Sequence, residues 1–191
     1  MSEPQATNDS TALVLIDVQN SFFHPDGGNY YAESAAVVPN LKRLLQRARA
    51  AGRLIIHAAE QHRPNVADFE SAKLPEHCIA GEFDARFFEN FGPKDDGEFL
   101  LAKRRTSAFF STDLDLLLRE KGIERLVIGG VKTNVCVRAT VEDGFSLGYH
   151  CVVPREAVNS NRSHLSDASL EDIDRYFGWV TTVDEAEEML A

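Results

Sequence analysis

The sequence predicts an α/β protein, a three-layer α/β/α sandwich whose mostly parallel sheet has about six strands. Short apolar runs rich in branched residues alternate with segments that carry apolar residues at helical spacing. Most of these runs are apolar at consecutive positions, which is typical of parallel strands covered on both faces. Since no internal repeat, low-complexity tract or linker interrupts the alternation, we expect a single domain over residues 1–191.

Six short runs predict the strands. Their length and their content of branched and aromatic residues match buried strands. In a parallel sheet of this kind, ligands bind beyond the carboxyl ends of the strands. The predicted strands occupy residues 12–18 (ALVLIDV), 54–58 (LIIHA), 99–102 (FLLA), 126–130 (LVIGG), 149–153 (YHCVV) and 179–183 (WVTTV).

Three apolar stripes at helical spacing predict helices between these strands. The first stripe ends before Gly52 and the second before Gly122, and glycine commonly terminates a helix. Thr112 followed by Asp115 resembles a capping box at the start of the second helix. The stripes consist of Val38, Leu41, Leu44, Leu45 and Ala48, of Leu114, Leu117 and Leu118, and of Leu170, Ile173 and Phe177.

Composition limits the classes of partner. The chain has 191 residues, of which 43% are hydrophobic, and a formal net charge of -10. The negative charge disfavours binding to nucleic acid or anionic lipid. No run of about 18 apolar residues is present that could span a bilayer. We therefore expect a small-molecule partner, no nucleic acid and no membrane.

The N-terminus and the cysteines indicate the compartment. Residues 1–10, MSEPQATNDS, lack a basic start and an apolar segment, so we expect a flexible N-terminus and no signal peptide. Cys78, Cys136 and Cys151 are odd in number and form no CxxC pair, which disfavours a disulfide framework or a zinc knuckle. We expect free thiols and a cytoplasmic location.

Polar residues at the ends of three predicted strands form a candidate active site. Asp17 lies near the end of the first run, Lys103 directly after the third and Cys136 shortly after the fourth. Each has another interpretation, as the cap of a turn, a solvated strand end and a small buried side chain respectively. Together at one edge of the sheet they predict a site with a carboxylate, an ammonium and a thiol. In the first turn of a helix, Cys136 is expected to have a lowered pKa.

The three candidate residues lie in three longer sequence motifs: LVLIDVQNSFF, KRRTSAFFSTDLDLLLREKGI and GGVKTNVCVRATVEDGFSLGY. In this order and spacing, from about Thr11 to the C-terminus, the chain resembles the isochorismatase-like cysteine hydrolases. That superfamily includes nicotinamidases and the N-carbamoylsarcosine, ureidoacrylate and biuret amidohydrolases. The resemblance implies a catalytic triad, a cis peptide bond between Val131 and Lys132, and a homodimer or homotetramer. The triad maps onto Asp17, Lys103 and Cys136.

The resemblance and the charges together predict cysteine-dependent hydrolysis. Lys103 would favour the thiolate of Cys136, and Asp17 would take the thiol proton and deliver it to the departing nitrogen. The backbone N–H groups of Lys132 and Cys136 are the implied donors to the oxyanion. Water would then cleave the thioester. We expect a substrate with an amide or urea-type C–N bond, of carbamoyl, ureido or biuret type, and release of ammonia or an amine.

Departures from the nicotinamidase pattern bear on the substrate and on metal binding. Those members carry a metal-binding Asp-x-His pair, a further histidine and a tryptophan that stacks on the pyridine ring. Leu74 stands in place of the tryptophan, which disfavours nicotinamide. Glu60 and His62 have the spacing of the pair, and Asp68 and His77 follow. We expect no cofactor, and the alternative is a metal ion at Glu60, His62 and His77.

Side chains close to the triad in the sequence predict the substrate contacts. The phenylalanines have a second interpretation as core residues, and Lys132 has one as a solvent-directed side chain. If Lys132 faces the pocket, its ammonium would pair with a substrate carboxylate or an anionic nitrogen. The candidates are the polar residues Gln19, Asn20, Lys132 and Asn134 and the apolar residues Phe22, Phe23 and Phe109.

Other functions fit parts of the same pattern. Within the superfamily the alternatives are a nicotinamidase-like and an isochorismatase-type hydrolase, although the latter members lack the thiol. Outside it, Cys136 would serve a thiol redox protein, or the fold would bind a ligand without turnover. Residues 60–98 form a long stretch of weak periodicity, which we expect to be a lid or a subunit contact.

Overall fold

The computed structural model describes residues 10–94 and 97–191. The expected flexible N-terminus, residues 1–10, therefore lies outside the described residues except for Ser10. The strands within the described part are β1 Thr11–Ile16, β2 Leu54–Glu60, β3 Glu98–Lys103, β4 Arg125–Val131, β5 His150–Pro154, β6 Val158–Asn159 and β7 Trp179–Thr181. They form one sheet in the order β3-β2-β1-β4-β5-β7, with β6 beside β4, and every pairing is parallel.

Helices connect the strands and cover both faces of the sheet. None of those described is both long and apolar enough to cross a bilayer. The α-helices are α1 Asn20–Phe23, α2 Val38–Ala50, α3 Leu114–Glu120, α4 Arg138–Ser146, α5 Ser163–Asp172 and α6 Val183–Met189. Shorter helical turns are the 3₁₀ segments Ala32–Val37, Phe69–Ala72 and Arg155–Ala157 and the π-helical segments Thr133–Val137 and Ile173–Phe177.

The core consists of two layers, one on each side of the sheet. Successive side chains of a strand point to opposite faces, so β1 contributes to both layers. Leu13 and Leu15 belong to a buried cluster with residues of α1, α2 and α6. Val14 and Ile16 belong to a second cluster with residues of α3, α4 and α5. This arrangement confirms the predicted three-layer α/β/α sandwich.

The pairing register brings the carboxyl ends of several strands together. Ile16, the last residue of β1, lies opposite Ala58 of β2 and Gly130 of β4. A Cβ on Gly130 would lie 2.1 Å from the carbonyl oxygen of Ile16, and the φ angle of Gly130 is +122°. Only glycine tolerates both conditions, so Gly130 permits the close approach of β1 and β4 where the site begins.

Several predicted boundaries differ from those observed. The sheet has seven described strands rather than about six, because β6 is two residues long and carries no periodic signal. The predicted capping box at Thr112 and Asp115 is wrong: Thr112 Oγ1 donates to the carbonyl of Ala108, and Asp115 accepts from Tyr149. A capping box does form at Thr182 and Glu185, at the start of α6. The strand β7 therefore ends at Thr181 rather than at the predicted residue 183, and α6 was not predicted.

Candidate active site

An ion pair between Asp17 and Lys103 lies at the carboxyl end of the sheet. Asp17 follows β1 with a left-handed φ of 52°, and its N–H donates to the carbonyl of Ala58 at 2.9 Å. Lys103 is the last residue of β3, opposite Glu60 of β2. Its Nζ lies 2.9 Å from Oδ2 of Asp17, and both side chains are fully buried. Two of the three predicted catalytic residues are therefore in contact.

Burial and mutual charge determine the ionisation of this pair. The other oxygen of Asp17, Oδ1, accepts the N–H of Glu60 at 3.1 Å. Burial raises the pKa of Asp17 from 3.8 to about 6, although the charge of Lys103 acts in the opposite direction. Burial disfavours the ammonium of Lys103, but the charge of Asp17 outweighs it and raises the pKa of Lys103 above its ordinary value. At neutral pH the pair is ionised, and Asp17 is a base of useful strength.

Cys136 lies in the π-helical segment Thr133–Val137 between β4 and α4, and it is buried. Burial raises the pKa of its thiol well above the ordinary value, and the charge of Asp17 raises it further. The charge of Lys103 lowers the thiol pKa, but it does not outweigh desolvation. The predicted lowering of the thiol pKa is therefore wrong. The resting side chain is a thiol that interacts with Asp17, and such a thiol would require a base in order to act as a nucleophile.

The peptide bond between Val131 and Lys132 is cis, as the resemblance implies. After this bond the carbonyl of Lys132 accepts the N–H groups of Val135 at 3.0 Å and Val137 at 3.3 Å. These two hydrogen bonds close the turn that carries Cys136. The role of the Lys132 and Cys136 N–H groups as oxyanion donors stays a prediction.

A small pocket of about 120 Å³ opens at Cys136. Two predicted substrate contacts, Phe22 and Lys132, line it. Leu74, which stands where nicotinamidases have a stacking tryptophan, lines it as well, so the pocket has an aliphatic wall at that point. The remaining lining residues are Asn29, Glu60, Glu70, His77, Thr106 and Val135.

Three predicted polar contacts lie outside this pocket lining. The side-chain amide of Gln19 is fully buried and occupied: Nε2 donates to two backbone carbonyls, and Oε1 accepts the N–H of Glu60 at 2.8 Å. Asn20 donates to the carbonyl of Phe83 at 3.2 Å. Oδ1 of Asn134 is buried and has no hydrogen-bond partner among the described residues. The amides of Gln19 and Asn20 thus fix the loops that surround the triad.

The two other predicted phenylalanine walls are core residues. Phe23 is buried and stacks on Phe88 with ring centroids 5.6 Å apart. Phe109 stacks on Tyr149 at the same centroid distance and packs against the cluster beneath α3, α4 and α5. The structure therefore corrects the assignment of Phe23 and Phe109 as pocket walls, because both rings pack against other aromatic rings.

A second group of titratable side chains borders the pocket. Glu60, His62, Glu70 and His77 each offer one ligand atom, and these four atoms lie within 4.8 Å of one another. Three of them are the residues predicted as the alternative metal site. Glu70 was missed because it lies in an irregular stretch without periodicity. The short 3₁₀ helix Phe69–Ala72 places it there.

The hydrogen bonds of the two histidines orient their other ring nitrogens towards the carboxylates. His62 Nδ1 lies 3.0 Å from Oδ2 of Asp68, and His77 Nδ1 lies 2.8 Å from the carbonyl of Pro75. Nε2 of His62 is buried without a hydrogen-bond partner in the described structure, 3.5 Å from Oε1 of Glu60. Nε2 of His77 lies 3.4 Å from Oε2 of the same carboxylate. Metal-binding histidines are commonly held in this way, so the four residues fit a divalent cation.

An ionic network is the alternative description of the same cluster. The hydrogen bond to Glu60 raises the pKa of His77 to about 9, although burial opposes it. Burial raises the pKa of Glu60, but its close approach to the imidazoles of His62 and His77 outweighs this and holds the pKa well below its usual range. In either case the segment 60–98 contributes to the pocket lining through the cluster and Leu74, and its role as a lid stays a prediction. Its role as a subunit contact stays a prediction.

The chain is similar to known proteins over most of its length. The family model of the isochorismatase domain matches residues 11–185. The ureidoacrylate amidohydrolase RutB of Serratia proteamaculans is 34% identical over 199 residues, which cover 91% of this chain and 80% of that protein.

Two solved structures illustrate the likeness in fold. An isochorismatase-like hydrolase from Alkaliphilus metalliredigens superposes with a TM-score of 0.87 at 30% identity, covering 95% of this chain and 100% of that one. The N-carbamoylsarcosine amidase of Thermoplasma acidophilum superposes with a TM-score of 0.81 at 26% identity, covering 92% of this chain and 97% of that one.

Because the ion pair is buried, we expect Lys103→Met to lower the stability of the fold strongly and in a pH-dependent way. The variant leaves a buried carboxylate without its counter-charge, so we expect the free energy of unfolding to fall by about 3–5 kcal/mol at neutral pH. Without Lys103 the pKa of Asp17 lies above about 6, so the loss should shrink as the pH falls towards 6 and Asp17 takes up a proton that removes the need for a counter-charge. Urea denaturation at several pH values measures both effects.

Two further variants control this experiment. The double variant Asp17→Asn/Lys103→Met should recover most of the lost stability, because neither charge remains. Lys42→Met removes an exposed lysine that pairs with Glu89 and should cost less than about 1 kcal/mol. An equal cost for Lys103→Met and Lys42→Met would contradict the importance of the buried pair.

Proposed function

The chain belongs to the isochorismatase family, and we propose from this premise that it is a cysteine-dependent amidohydrolase. It is a hydrolase that acts on C–N bonds, as its similarity to a ureidoacrylate amidohydrolase indicates. The proposed substrate is a small compound of carbamoyl, ureido or biuret type. One observation carries the proposal: the charges of the buried Asp17–Lys103 pair act on the thiol of Cys136, which lines a pocket of about 120 Å³.

In the first proposed step Cys136 attacks the carbonyl carbon of the substrate. The carboxylate of Asp17 takes the thiol proton as the S–C bond forms, and the carbonyl oxygen becomes an oxyanion. A base with a pKa of about 6 is ionised at neutral pH and is still strong enough to assist this transfer. The charge of Lys103 stabilises the developing thiolate. Backbone N–H groups of Lys132 and Cys136 are the proposed donors to the oxyanion.

In the second step the C–N bond breaks and the acyl group remains on sulfur. The proton held by Asp17 moves to the departing nitrogen, which leaves as ammonia or an amine. Water then attacks the thioester, and its proton passes to Asp17. The C–S bond breaks, the acid product leaves, and the proton on Asp17 returns to the sulfur of Cys136. The cycle consumes one water molecule and restores both side chains.

The aliphatic wall of the pocket and the ionisation of the thiol weigh against two of the alternatives. The Leu74 wall of the pocket offers no aromatic surface on which a pyridine ring could stack. A thiol whose pKa is raised by burial reacts slowly with peroxide, since the thiolate is the reactive form. These two properties favour a small urea-type substrate over nicotinamide and over a redox function.

We also propose that Glu60, His62, Glu70 and His77 hold one divalent cation at the side of the pocket. The support is the unpartnered Nε2 of His62 and the mixed carboxylate and imidazole donor set. Such an ion would supply positive charge close to the substrate. In this account Asp68 and the carbonyl of Pro75 orient the two imidazole rings. A homodimer or homotetramer and a cytoplasmic location stay predictions of the family resemblance and the composition.

The first prediction concerns the nucleophile. Cys136→Ala should abolish release of ammonia or amine from urea-type substrates and leave the melting temperature nearly unchanged, because the sulfur is the attacking atom and alanine fits the same space. The matched control is Cys151→Ala, which removes a thiol buried in the core away from the pocket lining. Ammonia release across a panel of ureas, carbamoyl amino acids, nicotinamide and maleamate provides the readout. A folded Cys136→Ala variant with undiminished turnover would refute the mechanism.

The second prediction concerns the metal. Purified protein that has been incubated with a divalent transition metal and desalted should retain about one ion per chain. His62→Ala should lose most of this metal, because it removes a buried ligand atom. His164→Ala, which changes an exposed histidine on α5, should retain it. Elemental analysis measures the stoichiometry. Equal metal content in His62→Ala and His164→Ala would show that the ion binds elsewhere.

A further inference from the structure

Lys132 presents an unpaired positive charge to the pocket. It lines the cavity together with Cys136, and it precedes the turn that carries the thiol. The other cations around the site have carboxylate partners: Lys103 pairs with Asp17, and His77 approaches Glu60. Among the residues that the structure describes, no carboxylate forms an ion pair with Lys132. The pocket therefore contains one cation whose charge the protein itself does not neutralise.

Aromatic rings position this ammonium. Nζ of Lys132 lies 5.8 Å from the ring centroid of Phe22 and 5.4 Å from that of Tyr31. The hydroxyl of Tyr31 donates to Oδ1 of Asn159 on β6 at 2.7 Å, which fixes the ring. Cation–π contacts hold the ammonium in place but accept none of its N–H bonds in the way that an oxygen does. The side chain is thus oriented, half-buried and free to donate to a ligand.

The charges of the pocket are arranged asymmetrically. Glu60 and Glu70 lie on one side, beside the two histidines, whereas Lys132 lies with Phe22 and Tyr31. A substrate with a negative group would be attracted by this ammonium. Burial strengthens this attraction, because a half-buried cation has lost part of its hydration.

We propose that Lys132 binds a carboxylate of the substrate and thereby selects short ureido or carbamoyl carboxylic acids over neutral ureas and amides. The inference rests on the proposed function, since it assigns the orientation of a substrate whose carbonyl carbon is attacked by Cys136. The carboxylate lies at the Lys132 side of the pocket, and the scissile group lies at the thiol. The volume of about 120 Å³ limits the linker between them to a few carbons.

Matched substrates test this selectivity. Ureido carboxylic acids with one, two or three carbons between the two groups are compared with their neutral methyl esters, in the wild type and in Lys132→Met. We expect the wild type to prefer at least one acid over its ester. Lys132→Met should raise KM for that acid by about 10-fold to 100-fold, with little change in kcat and little change for the ester. Equal losses for acid and ester would overturn the proposal, because they indicate a structural role or a role at the reacting atoms.

Two further variants control for charge and for folding. Lys42→Met removes the same charge from an exposed site and should leave the preference for acids unchanged. Lys132→Arg keeps the positive charge and should retain a measurable part of that preference. Loss of the preference in Lys42→Met, or its full persistence in Lys132→Met, would contradict the assignment.

A binding experiment separates this inference from the proposed chemistry. Calorimetry with Cys136→Ala measures affinity for the same acids and esters without turnover. Lys132→Met in that background should weaken binding of the acid by about 10-fold to 100-fold and leave the ester within about threefold. If this holds while the wild type hydrolyses none of the compounds, the proposed function fails and the anion site stands. If the wild type hydrolyses acids and esters equally well, or no acid binds, the assignment of Lys132 is wrong.

Discussion

The site depends on one interaction, the fully buried ion pair between Asp17 and Lys103. Removing two charges from water is costly, and the pair is tolerated because each side chain is the counter-charge of the other and both are held by backbone groups. The same burial sets the chemistry. It raises the pKa of Asp17 to about 6 and keeps Cys136 as a thiol, so in the proposed mechanism the carboxylate is the proton acceptor and the thiol is the donor.

The parallel sheet makes this ion pair possible. Strand β2 lies between β1 and β3, and neighbouring strands are about 4.8 Å apart, so the long side chain of Lys103 must reach across the end of β2 to meet Asp17. The N–H of Glu60, at the end of β2, completes the contact by donating to the same carboxylate. The turn after β4 brings Cys136 to the same edge. A shift in register at any of these strands would separate the charges.

Sequence reasoning placed Asp17, Lys103 and Cys136 at one edge of the sheet because strand ends can be read from apolar runs. It identified Leu74 and Phe22 through the family resemblance and their proximity to these residues in the sequence. It failed where side-chain contacts across the fold decide the outcome. The side-chain amide of Gln19 forms hydrogen bonds with backbone groups that lie far away in the sequence. The pKa of Cys136 is raised by burial more than it is lowered by the charge of Lys103. Glu70 and Tyr31 lie in irregular segments, where the sequence has no periodicity from which their position near the pocket could be predicted.

The pH dependence of turnover tests the central claim most directly. If Asp17 must be ionised to accept the proton of Cys136, kcat/KM for a substrate that does not itself titrate should be level near neutral pH and fall tenfold per pH unit below about pH 6. Circular dichroism over the same range shows that the protein stays folded. An activity that instead rises with pH up to the ordinary range of a thiol, about 8.5, would mean that a free thiolate is the nucleophile and would contradict the role assigned to the buried pair.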